Sequence, residues 1–477
     1  MAPLDGSSLP NTATLDPIAI APGSTATISP MARAILTAPI LPTLVRLAWP
    51  TVIVLVIQTS VGVMETYFLG HLGTAALAGA ALVFPVLMLM QTMSNGGIGG
   101  GVSSAVARAL GAGRKDDADA LAFHALILAI GFGAIFSLAV IGGGTWLYSA
   151  LGGHSEALAA ALLYSNLVFI GAIPLWIMAL MASVLRGSGN VKFPAVITLA
   201  GGILLVPLSA ALIFGWGPVP RFEIAGAGIA VLTYYIASAA ALLVYLRSGT
   251  SVVRLRRMPL EWRHFKAILG VGALSAFGTI QTNLTVALVT ASIGLLGIEA
   301  IAGYGAAVRL DYFLVPMLFG IGAAAITMVA TNIGAGQIAR ARRISWVSAA
   351  IGVAITEVIG LAAAVFPEIW IGLFSEDPTI LETGAQYLRI VGPTYGFFGL
   401  GLMLYFTSQG AGRVFWPVMA GTVRLFVAGF GTWIAASMFG ASEQVVFITV
   451  AAATVAYGLM SLLAVRLTPW GIGKPVR

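Results

Sequence analysis

The sequence contains no cysteine, so neither a disulfide nor a thiolate metal site can form. Its four histidines, His71, His124, His154 and His264, are well separated and belong to no H-E-x-x-H arrangement, which argues against a His-based metal centre. Charge is scarce: 9% of the 477 residues are Asp, Glu, Lys or Arg, against about 25% in a soluble domain. A soluble globule is therefore excluded. The N-terminal stretch also lacks the order of a secretory signal, in which positive charge precedes an apolar run and a cleavage site follows it; the first basic residue is Arg33. Residues 1–40 are rich in Ser, Thr, Pro and Ala and read as a disordered tail.

What the chain has is apolar length. Hydrophobic residues make up 59% of it, and from Leu44 onward they fall into twelve runs, each long enough to cross the roughly 30 Å hydrocarbon core as a helix. The first six are 44–69, 76–107, 120–147, 157–185, 193–214 and 224–246; the last six are 266–291, 299–331, 344–370, 379–408, 414–438 and 444–465. An all-α integral membrane protein with twelve transmembrane helices is expected. Pro50, Pro85, Pro174, Pro207, Pro316 and Pro393 fall inside spans, where proline is tolerated and often marks a bend.

Basic residues orient the spans. Alternate loops carry Arg108, Arg114 and Lys115; Arg186 and Lys192; Arg247, Arg254, Arg256, Arg257, Arg263 and Lys266; Arg340, Arg342 and Arg343; and Arg413, whereas the opposite loops carry Arg221 alone. Both termini are thus expected in the cytoplasm. The expected organisation is a tail over 1–40, a six-helix lobe over 41–247, a basic linker over 248–265 against the anionic leaflet, a second lobe over 266–466 and a tail over 467–477. No nucleic-acid partner is expected; membrane lipids are.

The halves repeat. Gly97-Ile-Gly99 recurs as Gly320-Ile-Gly322, Gly111-Ala-Gly113 as Gly334-Ala-Gly336, Gly187-Ser-Gly189 as Gly410-Ala-Gly412, and Gln58-Thr59 as Gln281-Thr282, each at an interval of 223 residues. Each half holds an even number of spans, so both share one orientation and form a parallel repeat, with substrate sites expected near their interface. The Gly-x-Gly pairs fit close helix packing. They are not nucleotide-binding glycines, because no βαβ unit and no G-x-x-x-x-G-K-[ST] run accompanies them, and no cofactor is expected.

Glu65 is the one carboxylate in the first span. An acid within a membrane helix carries an insertion penalty of about 2.5–3.5 kcal/mol, and it usually faces a cavity or a partner. Gln58 lies two helical turns before it on nearly the same face, and Met64 and Tyr67 flank it. Gln58, Met64, Tyr67, Asn166, Gln281 and Asn283 are the candidate cavity residues. Asp311 and Glu357 are secondary candidates for an ion site, Glu357 with Arg389 or Arg424 as possible partners. Leu288 stands where the repeat would place a second Glu65, so one half carries the acid. No nucleophile–base or metal motif accompanies these residues, which leaves an intramembrane enzyme out, and no channel filter motif is present.

The order of these features resembles the multidrug and toxic compound extrusion (MATE) family. The resemblance rests on the Gly-Ala-Gly turn after the second helix of each half, the Arg186-Gly-Ser-Gly-Asn190 turn, and Tyr304-Gly-Ala-Ala-Val-Arg309-Leu-Asp311. Phe366 to Asp377 and Tyr387-Leu-Arg-Ile390 add to it and point to the DinF-like branch. The resemblance implies two six-helix bundles in a V and, by alternating access, efflux of amphipathic or cationic drugs from a bacterial inner membrane by a monomer. It also implies a first-helix acid in a Gln-x6-Asp-Thr pattern, here Gln58-x6-Glu65-Thr66. The acids that the Na⁺-coupled branch carries in its seventh and tenth helices are missing around Gln281–Asn283 and Phe397–Phe398. That favours H⁺ over Na⁺. A lipid or glycolipid flippase of the same superfamily is the alternative, with Arg309, Arg389 and Arg424 as its basic residues.

Overall fold

A chain in hydrocarbon must satisfy its own backbone N–H and C=O groups, and long apolar runs do so as helices. The computed structural model describes residues 30–217 and 219–470, and these are helical with short connections. The first half contains α1 (Pro30–Thr37), α2 (Ile40–Gly70), α3 (Thr74–Thr92), α4 (Gly99–Gly111), α5 (Lys115–Ala150), α6 (Ser155–Ile170), α7 (Ala172–Gly187), α8 (Lys192–Phe214) and α9 (Ile224–Arg247). The second contains α10 (Trp262–Gly294), α11 (Ile298–Val308), α12 (Asp311–Gly334), α13 (Ile338–Val365), α14 (Pro367–Ile371), α15 (Pro378–Val391), α16 (Tyr395–Ala411), α17 (Phe415–Arg424), α18 (Thr432–Phe439) and α19 (Glu443–Leu467). Among the described residues, 11 helical runs are long and apolar enough to cross a membrane, and α6 with α7, bent by 47°, makes a twelfth. The twelve expected spans are therefore present, each displaced by a few residues.

Several spans are interrupted. A π-helical turn, Met93–Ile98, joins α3 to α4, and another, Leu425–Gly431, joins α17 to α18. The repeat places Pro316 opposite Met93 and Pro207 opposite Phe430. One half thus carries a π turn where the other carries an intrahelical proline, two of the few ways a helix is locally distorted. Pro393 sits in a 3-10 turn, Gly392–Thr394, between α15 and α16.

The expected disordered tail over 1–40 needs correction at its end. Residues 1–29 lie outside the described residues, as do 471–477 of the C-terminal tail, but Pro30–Thr37 is helix α1. Its Ala32, Ile35 and Leu36 are buried. Arg340 donates to the carbonyls of Ile35 and Ala38. Short apolar spacing at 32, 35 and 36 gives α1 a buried stripe, a signal that the Ser/Thr/Pro-rich context obscured.

The basic linker is tied down as well. Val253 and Leu255 are buried in the core of the first half. Asp119 accepts from the Arg254 amide at 2.8 Å and pairs with Arg256 at 3.1 Å. His124 accepts from the Glu261 amide at 2.9 Å, and its ring lies 4.9 Å from that of His264. Two histidines far apart in sequence are thus neighbours, although no group of three His, Asp or Glu that could hold a metal occurs among the described residues.

Close glycine packing joins the halves. Added Cβ atoms at Gly101, Gly111, Gly320 and Gly334 would meet Gly272, Thr331, Val52 and Arg108 respectively. The N-terminal part of α2, with Leu44, Leu47 and Ala48, packs into a core shared with α12 and α16. These contacts lie toward the arginine-rich ends of the helices. Toward the opposite ends, from Val56 to Tyr67 on α2 and from Phe277 to Val286 on α10, large apolar side chains are exposed. The halves are closed at one end and apart at the other.

Candidate functional site

Glu65 lies on the part of α2 that the second half leaves uncovered. Its neighbours Val63, Met64 and Tyr67 are 67%, 41% and 60% exposed. Glu65 itself turns inward, and its Oε1 is buried with no hydrogen-bond partner. An unpartnered carboxylate oxygen in an apolar surround is costly unless it takes a proton or a cation.

The surround is a set of hydroxyls from three helices, with an amide from a fourth. Ser209 of α8 lies beside the carboxylate, and Tyr164 of α6 and Tyr234 and Tyr235 of α9 are within its electrostatic reach. The Ser209 hydroxyl closes no hydrogen bond at 3.5 Å or less. Tyr235 accepts from Gln91 Nε2 of α3 at 3.3 Å. The Tyr234 hydroxyl has Gln58 and Thr198 as neighbours. Glycines make the room: a Cβ at Gly201 would strike the Tyr234 ring, and one at Gly171 would crowd Tyr235.

Gln58 is therefore brought to the Glu65 site, through Tyr234, as the two-turn spacing implied. Met64 and Tyr67 point to the uncovered side, where the Tyr67 ring rests on His71 at 4.5 Å. The Asn166 Oδ1 is buried and unpartnered, but no contact links it to Glu65. Gln281 is buried in the second half and donates to Thr422 at 2.6 Å. Asn283 is exposed and bonds its own helix at Thr279 O, 2.8 Å away. Tyr164, Tyr234, Tyr235, Gln91 and Ser209 were not found from the sequence. The adjacent Tyr234-Tyr235 pair within an apolar run was the available signal.

In the second half, Glu357 accepts from the Gly396 amide at 2.7 Å. The arginines considered for it are engaged elsewhere: Arg389 pairs with Glu368, and Arg424 lies over the Phe398 and Tyr457 rings at 5.2 and 5.7 Å. Arg309 stands over Phe374 at 4.8 Å. Arg309 and Asp311 form no ion pair within 4.0 Å among the described residues; two apart on one span, they do not face each other.

Comparison with known proteins agrees with this architecture. A family model described as MatE matches residues 50–211 and 275–434. A Shewanella oneidensis protein named "FAD transporter" is 29% identical over 382 residues, 78% of this chain and 82% of that protein. A Thermotoga maritima protein named "Probable multidrug resistance protein NorM" is 26% identical over 391 residues, 81% of this chain and 83% of its own length. Among solved structures, a MATE protein in complex with MaD3S superposes with a TM-score of 0.83 at 21% identity, over 92% of this chain and 98% of that one. An outward-facing multidrug resistance MATE family transporter gives 0.82 at 21% over the same shares. Two helical repeats, matched half by half across most of the chain, place it in a family of transporters, not enzymes: this protein is a member of the MatE family.

Proposed function

We propose that this chain exports amphipathic, cationic compounds in exchange for H⁺, by alternating access, with Glu65 as the coupling carboxylate. The observation that carries the reading is the buried, unpartnered Oε1 of Glu65 on the uncovered side of α2. A single acid that is neutral when protonated and charged when not gives a drug cation and a proton one group to compete for. Tyr164, Tyr234, Tyr235 and Ser209 would stabilise the charged form through their dipoles when the proton leaves. The exposed apolar residues facing the gap, Val63, Met64 and Tyr67 among them, suit a promiscuous cargo.

The rest of the reading follows the basic residues. The arginine-rich end is cytoplasmic with both termini, the lobes are 41–247 and 266–466 joined by 248–265, and the protein works as a monomer in a bacterial inner membrane. The closed arginine-rich end and parted opposite ends then correspond to an outward-facing state. One similarity favours a second cargo. The Shewanella relative is named for FAD, so a flavin dinucleotide is the alternative to a drug cation.

The test is uptake of ethidium and, separately, of FAD into proteoliposomes under an imposed pH gradient or an imposed Na⁺ gradient, for the wild type and Glu65→Gln. Ethidium movement driven by the pH gradient alone, and lost in Glu65→Gln, upholds the reading. Coupling unchanged in Glu65→Gln removes Glu65 from the mechanism, and FAD movement without ethidium movement replaces the cargo.

A further inference from the structure

Three of the second half's spans are interrupted, and the interruptions meet around one acid. The break between α11 and α12 falls at Arg309–Leu310, directly before Asp311. The 3-10 turn Gly392–Thr394 falls directly before Tyr395, and the π turn Leu425–Gly431 directly after Arg424. Discontinuous membrane helices commonly build ion sites, because the half-helix ends leave backbone groups and dipoles free to face a ligand.

The side chains at these breaks are incompletely satisfied. Tyr395 is 3% exposed, and its hydroxyl has no hydrogen-bond partner. It is the side chain paired most directly with Asp311, whose carboxylate also feels Arg424. Asp311 and Arg424 form no ion pair within 4.0 Å among the described residues; Arg424 is held instead over Phe398 and Tyr457. Three neighbouring helices present polar groups. Tyr304 of α11 and Tyr387 of α15 stack edge to face at 5.2 Å within reach of Asp311, and Glu357 of α13 caps the amide next to Tyr395. An acid and a base that share one lobe without touching leave the acid able to exchange its partner.

We infer that Asp311, Tyr395 and Arg424 form a second proton-coupling site, in which Asp311 holds a proton in the present arrangement and gives it up to pair with Arg424 in the other. When Asp311 is protonated it is neutral, and the Tyr395 hydroxyl is left without a partner, as it is here. When the proton leaves to water, the carboxylate accepts from Tyr395 and attracts the guanidinium, drawing α12 and α17 together across their breaks. The inference extends the proton-coupled reading of Glu65 by assigning the second half a proton of its own.

Infrared difference spectroscopy of the purified full-length protein, titrated through pH, tests it without any cargo. The wild type is expected to show two titrating C=O bands of buried carboxyls, set apart in frequency from those of the hydrated, exposed acids, one lost in Glu65→Gln and the other in Asp311→Asn. Asp311→Glu should shift the second band and keep it, and Tyr395→Phe, which retains the ring, should move it. A second measurement reads function. With the membrane potential held at zero, a tenfold H⁺ gradient should sustain about a 100-fold ethidium gradient in the wild type and about a tenfold one in Asp311→Asn. A wild type with a single such buried-carboxyl band, lost in Glu65→Gln, overturns this inference and leaves the Glu65 reading intact. Two bands that both survive Asp311→Asn overturn it too. A spectrum unchanged by Glu65→Gln overturns the Glu65 reading instead.

Discussion

Gly111 lies against the main chain of Thr331 so closely that a Cβ at Gly111 would meet the Thr331 carbonyl oxygen. Gly334 stands in the same relation to Arg108, and both members of the second contact are 223 residues from their counterparts in the first. The contacts are one contact seen twice across the pseudo-twofold axis. The same holds within each half, where Gly187 meets Ser103 and Gly410 meets Ile326. Helices in a bilayer gain from close backbone approach, which small residues permit.

Because the atom that a Cβ would meet is backbone in both inter-half contacts, no side chain can rotate out of the way. Gly111→Ala and Gly334→Ala should each destabilise the closed arginine-rich end by about 1–3 kcal/mol, the range for overpacking, and by similar amounts. The chain has no cysteine of its own, so spin labels on Lys115→Cys and Ala339→Cys report one distance only. The distance distribution should broaden and lengthen in both glycine variants. A distribution unchanged from the wild type would mean that the closed end is not held by these contacts.

Glu65 trades stability for chemistry. Its buried Oε1 has no partner, and leaving a buried polar group unsatisfied costs about 1–3 kcal/mol, more when it is charged. Leu288 occupies the equivalent place in the other half, so leucine suits this position in the repeat. Glu65→Leu should raise the thermal unfolding temperature in detergent while abolishing proton-driven transport. A variant that is less stable than the wild type would show the carboxylate to be a structural member of its lobe.

Most of the fold was legible because one constraint dominates it. Apolar length and the arginine pattern give the spans, and the 223-residue interval gives the repeat. The Glu65 site was legible only in part. Its acid and Gln58 share one helix face and are visible by spacing, whereas Tyr164, Tyr234 and Ser209 come from helices whose rotation about their own axes no single sequence reveals. The same limit applied to Glu357. Its position in mid-span was clear, but its acceptor role depends on the 3-10 turn that exposes the Gly396 amide. From sequence the linker reads as a basic segment on the leaflet, because burial of Val253 and Leu255 in the core of the first half is a tertiary fact.

Glu357 acts as a cap for α16. The first amides of a helix have no internal partner, and Glu357 satisfies the one on Gly396 at 2.7 Å. Glu357→Ala should therefore lower stability by about 0.5–2 kcal/mol, as loss of a cap does. Glu357→Gln, which keeps an oxygen acceptor, should lose less. Proton coupling in proteoliposomes should persist in both. Coupling lost in Glu357→Gln with unaltered stability would instead make Glu357 an ion site.

The linker is a strap whose anchor is Asp119. This carboxylate is 1% exposed, accepts from the Arg254 amide and pairs with Arg256. Asp119→Ala removes both and leaves a buried N–H without a partner, so the strap should lift. Arg254, Arg256 and Arg257 then become cleavable, and limited trypsin digestion should nick the variant several-fold faster than the wild type between the two halves. The strap's far end adds a pH dependence. Arg263 beside Glu261 holds that carboxylate below its ordinary value of 4.5. A carboxylate with a depressed folded-state value contributes stability above its unfolded value and loses it as pH falls through the depressed one. The pair should accordingly hold at neutral pH and weaken below about pH 4.5, read in the pH titration of the Glu261 side-chain carboxyl resonance, whose midpoint should lie below 4.5. Arg263→Ala should move that midpoint up toward the ordinary value, and a midpoint unchanged in Arg263→Ala would show that Arg263 does not set it.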